Sequence, residues 1–248
     1  MKIIISPART MQVDTDSLPY QNLPQFLPQT RTILHWMRGL TYDELHRLWW
    51  NCSTKIAELN YRRIQEMDLT QRLTPAILAF RGLQYQYMAP DVFTDQGLEY
   101  IEHHLRILSG FYGLLRPFDG IVPYRLGMGD RAQVAGSSDL YHFWGDRLAE
   151  ELYRDNSLVL NLASQEYARA VTPYLTGARH FVTCVFGEVI DGRVKQKATL
   201  AKMARGNMVR YLAENNITDL AGVRAFNVAN YHYHREYSTS DRLTFIKQ

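Results

Sequence analysis

Three separate segments of the chain carry side chains that could bind phosphate groups. Lysine and arginine neutralise the charge of a phosphate, and arginine can donate two parallel hydrogen bonds to it. The candidate residues are Lys55, Asn60, Arg62, Arg63, Arg116, Arg125, Lys202, Arg205 and Arg210. The group at 55–63 and the group at 202–210 could instead be solvated surface. Arg116 could pair with Asp119 to hold a loop.

Two acidic residues could act in catalysis if the chain were an enzyme. Asp146 and Glu166 would then serve as general acid and base or as metal-holding carboxylates. The sequence has no Walker-type phosphate loop, no G-x-G-x-x-G turn between a strand and a helix, no nucleophile elbow and no metal-spaced Cys/His set. His232 and His234 could share a strand face, but the sequence offers no complete ligand set around them. We therefore expect no metal and no cofactor, and a binding protein rather than an enzyme.

The segment 107–129 carries two of the candidate arginines on irregular backbone. It contains five glycines and two prolines among mostly apolar residues. It is too apolar for a surface loop, and its glycines and prolines oppose a core helix. Because buried irregular backbone must find partners for its N–H and C=O groups, such a segment is usually a structural pivot or the wall of a site.

Several sequence blocks resemble those of one known family. They are ISPART at 5–10, SGFYGLLRP at 109–117, PYRLGMG at 123–129, FWGD at 143–146, NLASQEY at 161–167 and AKMARGNM at 201–208. In these blocks and in their order, the chain resembles the YaaA family of bacterial proteins, which is linked to resistance to peroxide stress. The resemblance covers essentially the whole chain. It implies a cytoplasmic DNA-binding protein that acts in the response to peroxide.

The resemblance also implies a helix-hairpin-helix element at about 41–68. In this DNA-binding motif, backbone N–H groups at the start of the second helix approach a phosphate. The hairpin would be 57–60, where Asn60 takes the place of glycine, and Arg62 and Arg63 would follow as a phosphate clamp. Glu58 would repel phosphate, and the segment could alternatively be an exposed turn between packed helices.

Hydrophobic periodicity predicts the strands and helices that position these residues. Strands are expected at 2–6, 158–162, 181–190, 193–199 and 243–246, with an Asp191-Gly192 hairpin turn. One helix is expected to begin near residue 29 and a second at a capping box on Thr41. Further helices are expected at 97–108, 141–153 and 201–214, and one more should begin after Ser164 as its N-cap. The 248 residues contain no repeat or linker. We predict a single compact α+β domain, 1–248, in which helices wrap a mixed or antiparallel sheet.

Composition bounds the remaining expectations. Hydrophobic residues make up 46% of the chain and charged residues 21%, as in folded soluble proteins, and the net charge of +3 permits an anionic partner. No run approaches 18 apolar residues, and Pro7 interrupts the N-terminal run too early for a signal peptide. Cys52 and Cys184 are expected to be free thiols rather than a sensor pair. We therefore expect a cytoplasmic monomer that does not bind membranes.

The preferred hypothesis is a DNA-binding protein of the peroxide response. It would contact mainly the phosphates of duplex or branched DNA and show little sequence specificity. The alternative is an enzyme that acts on a phosphate-bearing small molecule or nucleotide, in a pocket lined by segments 107–129, 143–146, 161–167 and 201–210. A third possibility is an interaction protein whose buried ion pairs only hold an unusual fold.

Overall fold

Short strands and helices alternate along the chain in a computed structural model that describes residues 1–50 and 52–248. The strands are β1 Lys2–Ile5, β2 Thr10–Met11, β3 Thr74–Pro75, β4 Phe80–Arg81, β5 Leu105–Ser109, β6 Gly113–Leu115, β7 Gly120–Ile121, β8 Leu158–Leu162, β9 His180–Ile190, β10 Arg193–Lys195, β11 Tyr231–Tyr233 and β12 Arg242–Lys247. The helices are α1 Leu27–Arg38, α2 Tyr42–Leu48, α3 Thr54–Glu66, α4 Ala76–Ala79, α5 Leu83–Met88, α6 Asp95–His104, α7 Leu140–Trp144, α8 Arg147–Tyr153, α9 Gln165–Ala168, α10 Ala198–Glu214 and α11 Leu220–Arg224.

The core of the fold is a mixed sheet of eight strands. Seven of them lie in the order β11-β12-β9-β8-β1-β5-β6, and β10 pairs with β9. The five strands β12, β9, β8, β1 and β5 are parallel to their neighbours in this series, whereas β11, β6 and β10 pair antiparallel. The predicted α+β class with a mixed sheet is confirmed.

The apolar N-terminal run forms a central strand because both of its faces are covered. Ile3, Ile4 and Ile5 are fully buried, and β1 lies between β5 and β8. A strand buried on both faces has a continuous apolar sequence rather than an alternating one. The same reasoning correctly predicts β8.

The helix predicted at 97–108 ends earlier than expected. Helix α6 stops at His104, and Leu105 begins β5, which pairs with β1 through Ile3 opposite Leu105. Leu105, Ile107 and Leu108 are all buried, as in a strand covered on both faces. The helical spacing of Leu105 and Leu108 was therefore misleading, because the pairing partner is about a hundred residues away in the sequence.

The helix predicted at 141–153 is two helices. Gly145, with φ of +54°, separates α7 from α8. A left-handed residue ends the first helix, and glycine adopts this conformation without steric cost. Just before the break, the buried Trp144 donates a hydrogen bond from Nε1 to the carbonyl oxygen of Gly110, at 3.0 Å.

The hairpin predicted at 57–60 is wrong. These residues lie inside α3, where Ala57 and Asn60 are buried and the Asn60 amide donates to the carbonyl oxygen of Ile56 at 2.8 Å. Without glycine or proline at 57–60, nothing interrupts the helix. The turn that follows α2 instead includes Trp49 and Trp50, and α3 begins at Thr54.

Two local predictions from turn and capping chemistry are confirmed. Thr41 and Glu44 form a reciprocal capping box at the start of α2. Asp191 and Gly192 join β9 to β10 with φ of +54° and +70°, as a tight hairpin turn of this type requires. In the part of the chain that the structure describes, no helix combines the length and the apolar character needed to cross a membrane.

Candidate anion-binding site

A cavity of about 580 Å³ opens beyond the carboxyl ends of β1 and β8. Ser6 follows β1 and Ser164 follows β8, and both line the cavity. In sheets with parallel strands, ligands commonly bind at this edge. The remaining walls come from the loop after α2, the start of α5, the segment 124–130 and one face of α10.

Five cationic side chains converge on this pocket from separate parts of the chain. They are Arg9, Arg81, Arg125, Lys202 and Arg205. Two carboxylates, Asp130 and Glu166, also line it, so the pocket has an excess of positive groups. Among the described residues, none of the five cations forms an ion pair.

Two buried donors of the pocket have no hydrogen-bond partner in the described part of the protein. They are Nε of Arg205, on α10, and Nε2 of Gln84, on α5. Burial lowers the pKa of the Arg205 guanidinium, while the nearby Cys184 opposes this shift. A buried donor without an acceptor costs about 1–3 kcal/mol, and more when it is charged. An anion in the pocket would supply the missing acceptors.

The two carboxylates hold the glycine-rich segment in place. Asp130 accepts hydrogen bonds from Gly127 N and from Trp50 Nε1, each at 2.7 Å, and Glu166 accepts one from Gly129 N at 3.0 Å. Burial raises the pKa of Asp130, while its two hydrogen bonds oppose the shift. The loop after α2 is thereby tied to the pocket wall through Trp50.

Glycine is required for steric reasons at Gly110, and at Gly127 it leaves room for two carboxylates that lie close to the backbone. A Cβ on Gly110 would lie 2.8 Å from the carbonyl carbon of Gly127, and one on Gly127 would lie 3.2 Å from carboxylate oxygens of both Asp130 and Glu166. The segment 107–129 therefore packs backbone against backbone and also forms part of the pocket.

Ser6 connects the two strand ends that border the pocket. Its hydroxyl oxygen accepts a hydrogen bond from Ser164 N at 2.8 Å and lies 3.3 Å from the Ser164 hydroxyl. Tyr85 donates from its hydroxyl to the Ser6 carbonyl oxygen at 3.0 Å. Ser164 occupies the N-cap position of α9, but its side chain makes no capping hydrogen bond, contrary to our expectation.

Four of the predicted site residues lie in the pocket. These are Arg125, Glu166, Lys202 and Arg205. They come from three of the four segments expected to line it. The fourth segment, 143–146, was wrongly included: Asp146 is exposed at the start of α8 and does not line the pocket.

The other predicted phosphate-binding residues lie elsewhere. Arg116 pairs with the buried Asp119 at 2.9 Å, as the structural interpretation of that residue expected, and Arg210 pairs with Glu214 at 2.7 Å. The remaining four residues, on α3, are Lys55, Asn60, Arg62 and Arg63. Since Asn60 is buried in the helix, it cannot supply a left-handed turn.

Several pocket residues were missed by sequence reasoning. Arg9 belongs to the block ISPART, which had been noticed only as part of the resemblance. Arg81, Trp50 and Asp130 each lie beside a turn, with no motif around them. Nothing local distinguishes Gln84 from other polar helix residues, because only its burial and its missing partner identify it.

The fold and the site together define an α+β protein with a basic pocket at the carboxyl edge of its parallel strands. The family model described as peroxide stress protein YaaA matches residues 1–237, and the chain belongs to this family. The predicted resemblance is thus confirmed, and the family description supports a role in peroxide stress.

Full-length relatives agree with this assignment. A UPF0246 protein of Limosilactobacillus reuteri (strain DSM 20016) is 63% identical over 99% of this chain and 98% of its own length. A UPF0246 protein of Pediococcus pentosaceus is 53% identical over 100% of this chain and 98% of its own length. One of Lactiplantibacillus plantarum is 52% identical over the full length of both.

Proposed function

We propose that this protein binds DNA in the response to peroxide stress, and that the phosphate contacts are made at the rim of the basic pocket. The observation that supports this proposal is the convergence of five cations without ion-pair partners among the described residues. Like charges gathered in one place repel each other unless an anion joins them. A DNA phosphate is such an anion.

Cations elsewhere in the protein provide a useful contrast. Arg116, Arg179 and Arg210 each form an ion pair with a nearby carboxylate. These pairs satisfy the charge within the protein and leave little reason to bind an external anion. Within the described part of the chain, the pocket cations form no such pair, but neither do Lys55 and Arg62 on α3. What favours a ligand-binding role is therefore that five such cations line one cavity.

The rim offers cations that can reach a large ligand. Arg9, Arg81 and Lys202 are exposed, whereas Arg125 and Arg205 are partly buried. The exposed side chains can contact a phosphodiester backbone that remains outside the pocket. Contacts of this kind read charge rather than base sequence, so we expect weak sequence preference.

Helix α3 provides a matched control for this proposal. Lys55 and Arg62 are exposed on it, as Lys202 and Arg81 are exposed at the pocket. The double variants Arg81→Ala/Lys202→Ala and Lys55→Ala/Arg62→Ala each remove one arginine and one lysine. They therefore change the net charge equally but at different sites.

The test measures binding to labelled duplex and branched DNA by fluorescence anisotropy over a salt series. The pocket double variant should flatten the slope of log K against log[salt] by about 1–2, while the α3 variant should leave the slope near that of the wild type. If instead the α3 variant flattens the slope and the pocket variant does not, the DNA interface lies on α3. No binding by the wild type at physiological salt would overturn the proposed function.

Glu166 favours a second candidate function, acid–base catalysis on a phosphate-bearing ligand. It lines the pocket beside the cations and is held by the N–H of Gly129. If the protein is an enzyme of this kind, purified wild type should convert DNA or a nucleotide to a new product, and Glu166→Gln should not. If the wild type forms no product, this candidate fails and binding alone is left.

A further inference from the structure

The size of the pocket restricts what can enter it. Its volume of about 580 Å³ lies in the range typical of small-ligand sites. A lone phosphate ion would leave most of that space unfilled, and a base-paired duplex is far too wide to enter. One nucleotide, with its base, sugar and phosphate, is a ligand of suitable size.

The charges in the pocket require a ligand with two kinds of polar group. Lys202 and Arg205 suit a phosphate, but Asp130 and Glu166 would repel it. Carboxylates bind donors, such as the amino and imino groups on the edges of nucleobases. A ligand with an anionic end and a donor-bearing end therefore fits this lining better than phosphate alone.

The unpartnered side chain of Gln84 points to the same kind of ligand. Its buried Nε2 has no acceptor among the described residues, although it lines the pocket. A carboxamide can hydrogen-bond a base edge, which carries carbonyl and ring-nitrogen acceptors. The buried Nε of Arg205 is the second unpartnered donor, and the guanidinium that carries it lines the same pocket.

Aromatic side chains add an apolar surface for a base. Tyr85, Tyr124 and Trp50 line the pocket. Their polar atoms bind protein groups: the Tyr85 hydroxyl donates to Ser6 O, the Tyr124 hydroxyl pairs with Ser109, and Trp50 Nε1 donates to Asp130. Trp50 is 60% exposed and offers a ring face on which a base can stack, whereas Tyr85 and Tyr124 are buried and form the apolar wall behind it.

From these features we infer that the pocket binds a single nucleotide that is not stacked in a duplex. This inference rests on the proposed function, because an unpaired nucleotide of bound DNA is the natural source of such a ligand. A free nucleotide has the same chemistry and is the other source. Extrusion of a base from DNA is easiest where the base is already unpaired.

The test compares four ligands by anisotropy competition and calorimetry. They are a fully paired duplex, the same duplex with one bulged nucleotide, that duplex with an abasic residue at the bulge, and a mixture of free deoxynucleoside monophosphates. Inorganic phosphate serves as the control for charge alone. The proteins are the wild type, Gln84→Met and, as a surface control, Arg62→Ala.

The wild type should prefer the bulged duplex over the paired one by about tenfold, and the abasic residue should remove most of this preference. Gln84→Met should reduce the preference by about three- to tenfold, the effect of one lost hydrogen bond, whereas Arg62→Ala should not. Because Nε2 of Gln84 has no partner within the described protein, the melting temperature of Gln84→Met should not fall.

The outcomes separate this inference from the proposed function. Equal binding of paired, bulged and abasic duplexes, with no binding of free nucleotides, would overturn the nucleotide pocket and leave DNA binding intact. Binding of free nucleotides without binding of any DNA would overturn the proposed function and support the pocket. Inorganic phosphate that competes as well as a nucleotide would overturn base recognition.

Discussion

The contact between α5 and α10 yields the sharpest stability prediction, through Gly206→Ala. A Cβ at this position would lie 2.9 Å from the backbone nitrogen of Met88 and 3.0 Å from Cβ of Tyr87, and it would also press on the carbonyl oxygen of Gln84. Two of these three atoms belong to the backbone of α5, so they cannot rotate away. To restore ordinary contact with the Gln84 carbonyl oxygen, the closest of the three atoms, the two helices must separate locally by about 1 Å.

The expected effect is a balance of two opposing terms. Overpacking typically costs about 1–3 kcal/mol, whereas alanine gains about 1 kcal/mol over glycine in a helix interior. Because the clash is with the backbone of α5, the overpacking cost should lie in the upper part of that range, at about 2–3 kcal/mol, and the free energy of unfolding should fall by about 1–2 kcal/mol. The melting temperature should then fall by about 2–8 °C in a protein of this size. The proposed DNA binding should weaken too, because α10 carries Lys202 and α5 carries Gln84.

Gly39→Ala is the matched control. Gly39 follows α1, is exposed and has right-handed φ and ψ, and its Cβ would meet Trp36 O at an ordinary 3.4 Å. The melting temperature of Gly39→Ala should stay close to that of the wild type. Both variants are measured by differential scanning calorimetry and urea unfolding. If Gly206→Ala is as stable as the wild type or more so, the close approach of the helices does not limit stability.

Two further predictions concern buried titratable groups. Burial raises the pKa of Asp119 to about 6, against the opposing hydrogen bonds from Arg116, so the folded state binds this proton more tightly than the unfolded state. The contribution of Asp119 to stability should therefore be lost as pH rises from about 4 to 6. The free energy of unfolding of Asp119→Asn relative to wild type should rise by about 1–3 kcal/mol over that window, and a flat difference would refute this. Cys184 is buried, and its burial raises the pKa of its thiol, whereas Cys52 is only half-buried. Ellman's reagent should therefore modify Cys52 in the native protein and Cys184 only in denaturant. Rapid modification of both cysteines in the native protein would contradict this prediction.

The two cysteines lie in different parts of the chain and in different surroundings. Cys184 is buried beside Arg205, and Cys52 lies near the end of the loop after α2, far from it in sequence. Within the described residues, no cluster of three or more His, Cys, Asp or Glu side chains could hold a metal ion.

Local chemistry was sufficient where a few adjacent residues decide the conformation. The capping box of Thr41, the Asp191-Gly192 turn and the buried strands β1 and β8 follow from patterns within a few positions. Local chemistry failed at 105–109, where helical spacing coincided with a strand, and at 57–60, where a motif implied by resemblance had no glycine to form its turn.

The sequence by itself determined the family, the α+β class and five of the eight strands of the main sheet, because these depend on local periodicity and on blocks that can be compared directly. It also indicated Arg125, Glu166, Lys202 and Arg205 as candidates. Only the tertiary structure decided which candidates belong together, since the pocket joins residues from 6 to 205 across the carboxyl edge of the sheet. The structure also decided which arginines are already paired within the protein. Arg116 forms an ion pair with Asp119, whereas Arg205 has a buried donor without a partner among the described residues.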